Sequence, residues 1–529
     1  MAMKRHGPQG HGPTVSSLLL LLTLTAAANS DDVQLVTAAR SQDIETVSAL
    51  IADGVNVNTT QPDGATALHW ASYHDNLDLA AILLTADADV NAANELGATP
   101  LWLAAENGSA SMVEQLLTAG ANPNTALLIG ETPVMTASRT GNVNAVRLLI
   151  KHGANINLSE QRRGQTALMW ATAQGHHTII NMLLEHGADV TARSRIRPRL
   201  MHTSSNASQY DQGIMWNRGG YTPLLFAARH GDIETGRLLV TQGADINDSA
   251  PTGASVLVVA AHSGHSDFAR FALDAGADPN DMGAGYAPLH AAVLRGDVAL
   301  VRALLTREAD PNMRFEKGTP LRRASQDWYL APQFISATPY WLAAYYQETN
   351  IMRALVDGGA DTRLNTLEEW SYVFERAGGV GPPHIIGGFQ TPLQAAILGR
   401  HDRGRGRLNS AKRNPDVDER HALQAAQVAL EFGADIDHAD HLGNVALHAA
   451  AERNYETVVK FLAEQGADLN VKNKADQTPL ELATRAEDRR IERPDITNYP
   501  SGNTAQALRD LGALDSSENE QTNSGNTGT

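Results

Sequence analysis

One phrase of seven residues returns along this chain eleven times. It reads TALHWAS from Thr66, TPLWLAA from Thr99, TPVMTAS from Thr132, TALMWAT from Thr166 and TPLLFAA from Thr222. It continues as SVLVVAA from Ser255, APLHAAV from Ala287, TPYWLAA from Thr338, TPLQAAI from Thr391, VALHAAA from Val445 and TPLELAT from Thr478. Successive starts lie 33, 33, 34, 56, 33, 32, 51, 53, 54 and 33 residues apart. A second phrase normally follows the first by 21 residues, as in GANPN from Gly120, GANIN from Gly153, GADIN from Gly243, GADPN from Gly276 and GADLN from Gly466. Two phrases locked in phase at a period of three dozen residues exclude a set of unrelated globular cores and demand a stacked repeat.

The chemistry of each phrase fixes its local structure. Thr offers an N-cap oxygen, and Pro fits the first helical turn, where its missing N–H costs nothing. The following Leu and Ala-Ala leave a short helix slim enough to pack closely on its neighbours. A second helix carries leucines at helical spacing, as in VRLLIKHG and LVRALLTRE, and a Gly in the left-handed conformation ends it. One such pair cannot bury its own apolar face, so pairs must stack.

These motifs resemble the ankyrin family over Asp31 to about Asp515. The resemblance implies an all-α solenoid of about twelve helix-turn-helix units joined by hairpin fingers, beginning with the divergent unit DDVQLVTAARSQDIETVSALIADGVNVN. Asp87 and Glu308 stand where the helix-ending Gly is expected, which should cost up to about 1 kcal/mol each if the left-handed conformation is kept. Ala287 and Val445 replace the Thr cap, so looser units are expected there.

The long spacings locate insertions. Three lengthen a hairpin finger, at 193–219, 314–336 and 364–388; two fall between paired helices, at 400–420 and 485–501. The stretch from Gly318, GTPLRRASQDWYLAPQFIS, starts like a repeat and reads as an aborted unit used as a loop. The three fingers hold Trp216, Trp328 and Trp370 together with Tyr210, Phe315, Tyr329, Phe334, Tyr372 and Phe374, a loading that implies burial against the solenoid or against a partner. Two insertions are basic, with Arg193, Arg195, Arg197 and Arg199 in one and Arg403, Arg405, Arg407, Lys412 and Arg413 in the other. They read either as solvated loops or as an anion-seeking rim.

The formal charge of −17 disfavours nucleic acid as a partner. With no cysteine there is no disulfide, thiolate site or lipobox. Residues 1–28 read as a signal peptide: Lys4 and Arg5 precede the apolar run Val15 to Ala28, with Ala26-Ala27-Ala28 for cleavage. No later stretch approaches the length of a membrane span. Residues 516–529 are polar and low in complexity, and disorder is expected there.

No catalytic motif survives the repeat explanation. His69, His290 and His448 occupy the fourth place of the phrase, where the resemblance implies a hydrogen bond between neighbouring fingers. Of the pairs with metal-like spacing, His262/His265 owes its second member to the habitual Gly-His position after the mid-repeat Gly, and His438/His441 has no nearby third ligand, so no metal, cofactor or enzymatic activity is expected. The resemblance further implies that partners are bound through the concave face and the fingers, using the residues just before the mid-repeat Gly. By phase, the central candidates are Arg229, His230, His262, Arg295, Tyr345 and Tyr346, flanked by Trp216 and Trp328. The expectation is a monomeric, exported, periplasmic scaffold or adaptor for a protein partner. The competing readings are a secreted effector or inhibitor of a host or competitor protein and, more remotely, an enzyme acting through the inserted loops.

Overall fold

A computed structural model describes residues 30–201, 214–317, 334–367, 369–372, 375–376, 379–380, 384–399, 415–492 and 503–514. Residues 1–28, read above as a signal peptide, the stretch from Gly318 up to residue 333, most of the insertion at 400–420 and residues 516–529 lie outside them. Among the described residues 24 helices form twelve antiparallel pairs. The strands among the described residues form three antiparallel two-stranded pairings, one nested inside another, so the fold class is the all-α helix-pair repeat that the resemblance implied. The chain falls into two compact units, 1–155 and 156–529, described separately below.

In the first unit, the repeat that begins at Thr99 shows how the phrase folds. Thr99 Oγ1 accepts the Trp102 N–H (3.2 Å), Pro100 occupies the first turn, and the helix Pro100–Asn107 stops at Gly108, where φ is 78°. Its first six residues, Pro100 to Ala105, are all buried. Ser109 caps the second helix, Ala110–Thr118, by accepting the Met112 N–H. Met112, Val113, Leu116 and Leu117 turn inward from that helix, each large side chain contributing roughly 1.5–3 kcal/mol of burial. Leucine spacing on the second helix and small residues on the first are therefore two halves of one requirement. The bulky helix needs a slim one to close on.

In the second unit the same construction repeats from the Thr166 phrase onward. Thr222 caps Pro223–His230, Gly231 (φ 75°) ends it, and Asp232 caps Ile233–Thr241. Finger stems approach so closely that a Cβ on Gly253 (φ 83°) would stand 1.8 Å from the Gly283 carbonyl oxygen. Only glycine fits a turn that is both left-handed and in contact with the next backbone.

Where it is present, the final Asn of the GANPN phrase ties its repeat to the next. In the first unit Asn91 Nδ2 donates to Gly120 O (3.3 Å) while its Oδ1 accepts the Asn122 N–H (2.8 Å). Asn124 makes the same pair of bonds to Gly153 O and the Asn155 N–H. In the second unit Asn157, Asn247, Asn280 and Asn312 continue the ladder. Asn312 makes its two bonds to Gly359 O and the Asp361 N–H, residues beyond the insertion at 314–336, so the rung is kept there.

Two other insertions coincide with a missing rung, because Thr191 and Arg363 stand where Asn would. At the first, the strands Arg197–Met201 and Ile214–Arg218 pair as an antiparallel hairpin. Arg193 braces that seam through Gly220 O and Ser249 O (both 3.0 Å) and an ion pair with Asp248. At the second, Glu369–Tyr372 pairs with His384–Gly387. Thr362 Oγ1 takes over the inter-repeat bond by donating to Phe432 O (2.9 Å).

The insertion expected to open at Arg485 begins differently. Helix Pro479–Glu492 runs on for 14 residues, so the first extra residues prolong the helix. Arg485 to Glu492 contain no Pro or Gly to stop it.

Candidate recognition surface

Sequence phase singles out the last turn of each first helix, and the structure divides those residues into two kinds. Arg229 and His230 are exposed at the end of Pro223–His230. Partial desolvation, with Arg229 and His265 nearby, holds the His230 imidazole below its ordinary pKa. Tyr345 is half-buried, its ring stacked on Trp341 at 5.6 Å and 9°.

Others are taken up inside the stack. Arg295 donates through Nε to the His262 carbonyl oxygen (2.7 Å), with a second bond from Nη2. Asn107 does likewise to Ser72 O and Tyr73 O, and Arg453 to Leu398 O. A seven- or eight-residue helix leaves its terminal carbonyls without intrahelical donors, and the following repeat supplies them. Arg295 is thus a brace, and His262, half-buried, has its Nδ1 3.4 Å from the Tyr286 hydroxyl.

Tyr346 corrects the expectation of an exposed hot spot: it is 6% exposed. Phe334 returns from the insertion to pack against both Tyr345 (4.8 Å) and Tyr346 (6.0 Å). Phe315 is equally buried, beside Tyr286 and His290. For these two finger aromatics the loading is packing against the solenoid. Trp216 lies on the strand Ile214–Arg218, paired in register with Arg199; Trp328 lies outside the described residues.

The histidines of the phrase are struts. His69 Nδ1 accepts the Thr66 N–H (3.1 Å) and its Nε2–H donates to Ala98 O (2.9 Å) in the next finger. His290 and His448 repeat the arrangement toward Ala337 O and Gln477 O. At Ala287 and Val445, which have no capping side chain, this imidazole half is all that remains of the cap. Burial lowers the pKa of all three, that of His290 to about 4. Gln394 replaces His in its repeat and keeps both bonds, accepting the Thr391 N–H (2.9 Å) and donating to Asn444 O.

Other expected chemistry is also absorbed. His265 Nε2 donates to Arg229 O (3.0 Å), His438 Nε2 meets Asn365 Nδ2, and His441 Nδ1 donates to Gly388 O. Arg195 donates to Gln161 O (2.7 Å), so the base of the first inserted finger is a brace, whereas Arg197 and Arg199 are exposed. Among the described residues no three His, Cys, Asp or Glu side chains converge on a metal position. None of the described helices is long and apolar enough to cross a membrane.

Two features were not singled out by sequence reading. In the first unit, the tips of neighbouring fingers carry exposed aliphatic side chains: Leu96 (38%), Leu128 (69%) and Ile129 (40%). These fingers are adjacent, since the Leu128 N–H donates to Leu96 O (3.0 Å). Other tips carry Asp63, Arg163 or Thr252 beside the turn glycine, and in the second unit Leu442 (43%) stands exposed at the same place. The first unit also holds a cleft of ≈ 270 Å³ whose lining includes Arg40, Trp70, Tyr73, His74, Asn94 and Leu103.

Comparison with known proteins agrees with the architecture. The family model described as "Ankyrin repeats (3 copies)" matches residues 35–126, 101–194, 224–315, 258–331 and 417–493. Human "Ankyrin repeat and SOCS box protein 16" is 34% identical over 234 residues, 44% of this chain and 47% of that protein. The fowlpox virus "Putative ankyrin repeat protein FPV230" is 26% identical over 197 residues, 36% of this chain and 89% of the viral one. "E3 ubiquitin-protein ligase KEG" of Arabidopsis thaliana is 28% identical over 275 residues, 50% of this chain and 14% of the ligase. The chain spans about half the length of the human and mouse SOCS box relatives it matches.

Proposed function

This chain belongs to the ankyrin-repeat family, and from that premise we propose that it is an exported scaffold or adaptor that holds a protein partner. The repeats mediate protein–protein interaction as a class, and the fold is one of binding rather than catalysis. The observation that carries the reading is the exposed strip Leu96, Leu128 and Ile129. Turn tips are normally polar, and side chains of this size gain roughly 1.5–3 kcal/mol each when a partner covers them. A smaller contribution comes from Arg229 and His230, exposed in the second unit.

The leader at 1–28 directs the chain out of the cytoplasm in this reading, to the periplasm. Fractionation of the source cells tests location: recovery in the cytoplasm, with the leader uncleaved, would reject export. Partner binding is tested by capture with the mature chain, with a Leu96→Asp/Leu128→Asp variant and with an Arg229→Ala/His230→Ala variant. Loss of a specific protein with the first variant is expected. Equal recovery of every protein by all three, with helical content unchanged, would remove the strip and the exposed pair from the binding surface.

A further inference from the structure

The cleft of the first unit has a composition that selects its guest. Trp70 and Tyr73 stand edge to face, 5.7 Å apart at 81°, and with Leu103 they make an apolar wall. Most of the polar groups around it are already engaged. The Trp70 indole N–H donates to Gln61 Oε1 (3.2 Å), both His69 nitrogens hold the finger, and Asn94 Oδ1 accepts the Leu96 and Ala98 N–H groups.

Two groups are left over. The Arg40 guanidinium lies over the Trp70 ring, 5.0 Å from its centroid, is exposed, and makes no ion pair among the described residues. A stacked guanidinium keeps its N–H donors directed outward in its own plane. The His74 ring stacks on the same Trp70 at 5.9 Å and 24°, and its Nε2 is buried without a hydrogen-bond partner among the described residues. A buried polar atom left in that state is costly unless a guest completes it.

These groups exclude the simpler guests. A cation is repelled by Arg40, and a purely apolar group leaves His74 Nε2 unsatisfied. A carboxylate accepts from the guanidinium and from the imidazole in the tautomer that carries its proton on Nε2, and the wall requires an apolar body beside it. Asp and Glu side chains have no such body, while a neighbouring residue along an extended peptide projects to the opposite side, about 3.3 Å further on. A chain's last residue carries an apolar side chain and a carboxylate on a single Cα.

We propose that this cleft receives the C-terminal residue of the protein partner, its apolar side chain against Trp70, Tyr73 and Leu103 and its carboxylate between Arg40 and the His74 Nε2–H. The inference rests on the protein-binding reading and specifies the part of the partner that is held.

The test is fluorescence anisotropy with the full mature chain and labelled Gly-Ser hexapeptides ending in Leu or Phe. Each is made as free acid and as C-terminal amide, with an amidated peptide bearing an internal Leu-Asp as the third arm. The free acid is expected to bind at least tenfold more tightly than its amide. Arg40→Gln and His74→Phe should each weaken the free acid at least fivefold and leave the amide unchanged. Arg40 is exposed, so its replacement leaves folding intact. Equal binding of acid and amide, indifference to both variants, preference for the internal Leu-Asp peptide, or no binding of any peptide at millimolar concentration would overturn the proposal. The finger-tip variants test the broader reading separately, so capture that still depends on Leu96 and Leu128 would leave scaffolding standing while the cleft falls.

Discussion

His290 is a buried strut whose charge state sets an acid limit on the second unit. Its folded pKa is lowered to about 4 by burial, against about 6.5 in an unfolded chain. Between those values the unfolded state binds the proton and the folded state does not, so stability is full above about pH 6.5 and falls as pH drops toward 4. Gln394 shows how to remove the dependence without losing the strut. A His290→Gln variant is expected to match the parent in urea at pH 7 and to exceed it at pH 4.5; identical midpoints at both values would count against the assignment. A second residue-scale cost is backbone strain. Asp87 (φ 63°) and Glu308 (φ 64°) keep the left-handed conformation that sequence phase assigned to them. Glu308→Gly should therefore raise stability by about 0.5–1 kcal/mol, read as an upward shift in Tm, and a fall would show that the carboxylate has an unrecognised partner. Asp75, Gln347 and Asn454 carry the same strain at mid-repeat positions where other repeats have Gly.

At the scale of the element, the repeat is held by bonds that reach one neighbour and no further. Removing a rung, as in Asn280→Ala, deletes bonds to Glu308 O and the Asp310 N–H and is expected to cost about 1–3 kcal/mol. Hydrogen exchange should rise in the two adjoining turns only. Protection lost evenly along the unit would contradict the nearest-neighbour picture. The sequence displayed these asparagines in every GANPN phrase, yet it disclosed a helix-ending mark rather than a tie, because the partner carbonyl lies about thirty residues away. For the same reason Arg295 read as a binding residue: an exposed-looking Arg at the end of a helix gives no sign that the preceding helix has carbonyls to satisfy. Tyr346 was misjudged because Phe334, which covers it, returns from an insertion whose path no periodicity describes.

For the whole molecule, architecture was legible and recognition was only partly so. Repetition makes each unit a check on the others, and twelve helix pairs follow from eleven copies of the phrase and one divergent opening. A binding surface has no such redundancy. The cleft at Trp70 depends on one Arg, one His and two rings meeting once, drawn from helices thirty residues apart. Charge supplies a further prediction. Between residues 30 and 155 fourteen carboxylates face four Lys and Arg, so self-repulsion weakens that unit at low ionic strength. Raising salt from about 10 to 150 mM shortens the screening length from about 30 to 8 Å and should raise its melting temperature. A fall would mean that specific ion pairs outweigh the general field.

Thr191, Arg363 and Asp437 stand where the usual asparagine would; Asp437 keeps half of the rung by accepting the Asp468 N–H, and the two seams that lack it altogether each carry a grafted hairpin. A joint that never relied on a dowel can admit new timber without being weakened, whereas an intact one must be spanned, as Asn312 does. Novel appendages on such a protein should accordingly gather at undowelled joints, which makes those places the natural sites for engineering a foreign loop into the stack.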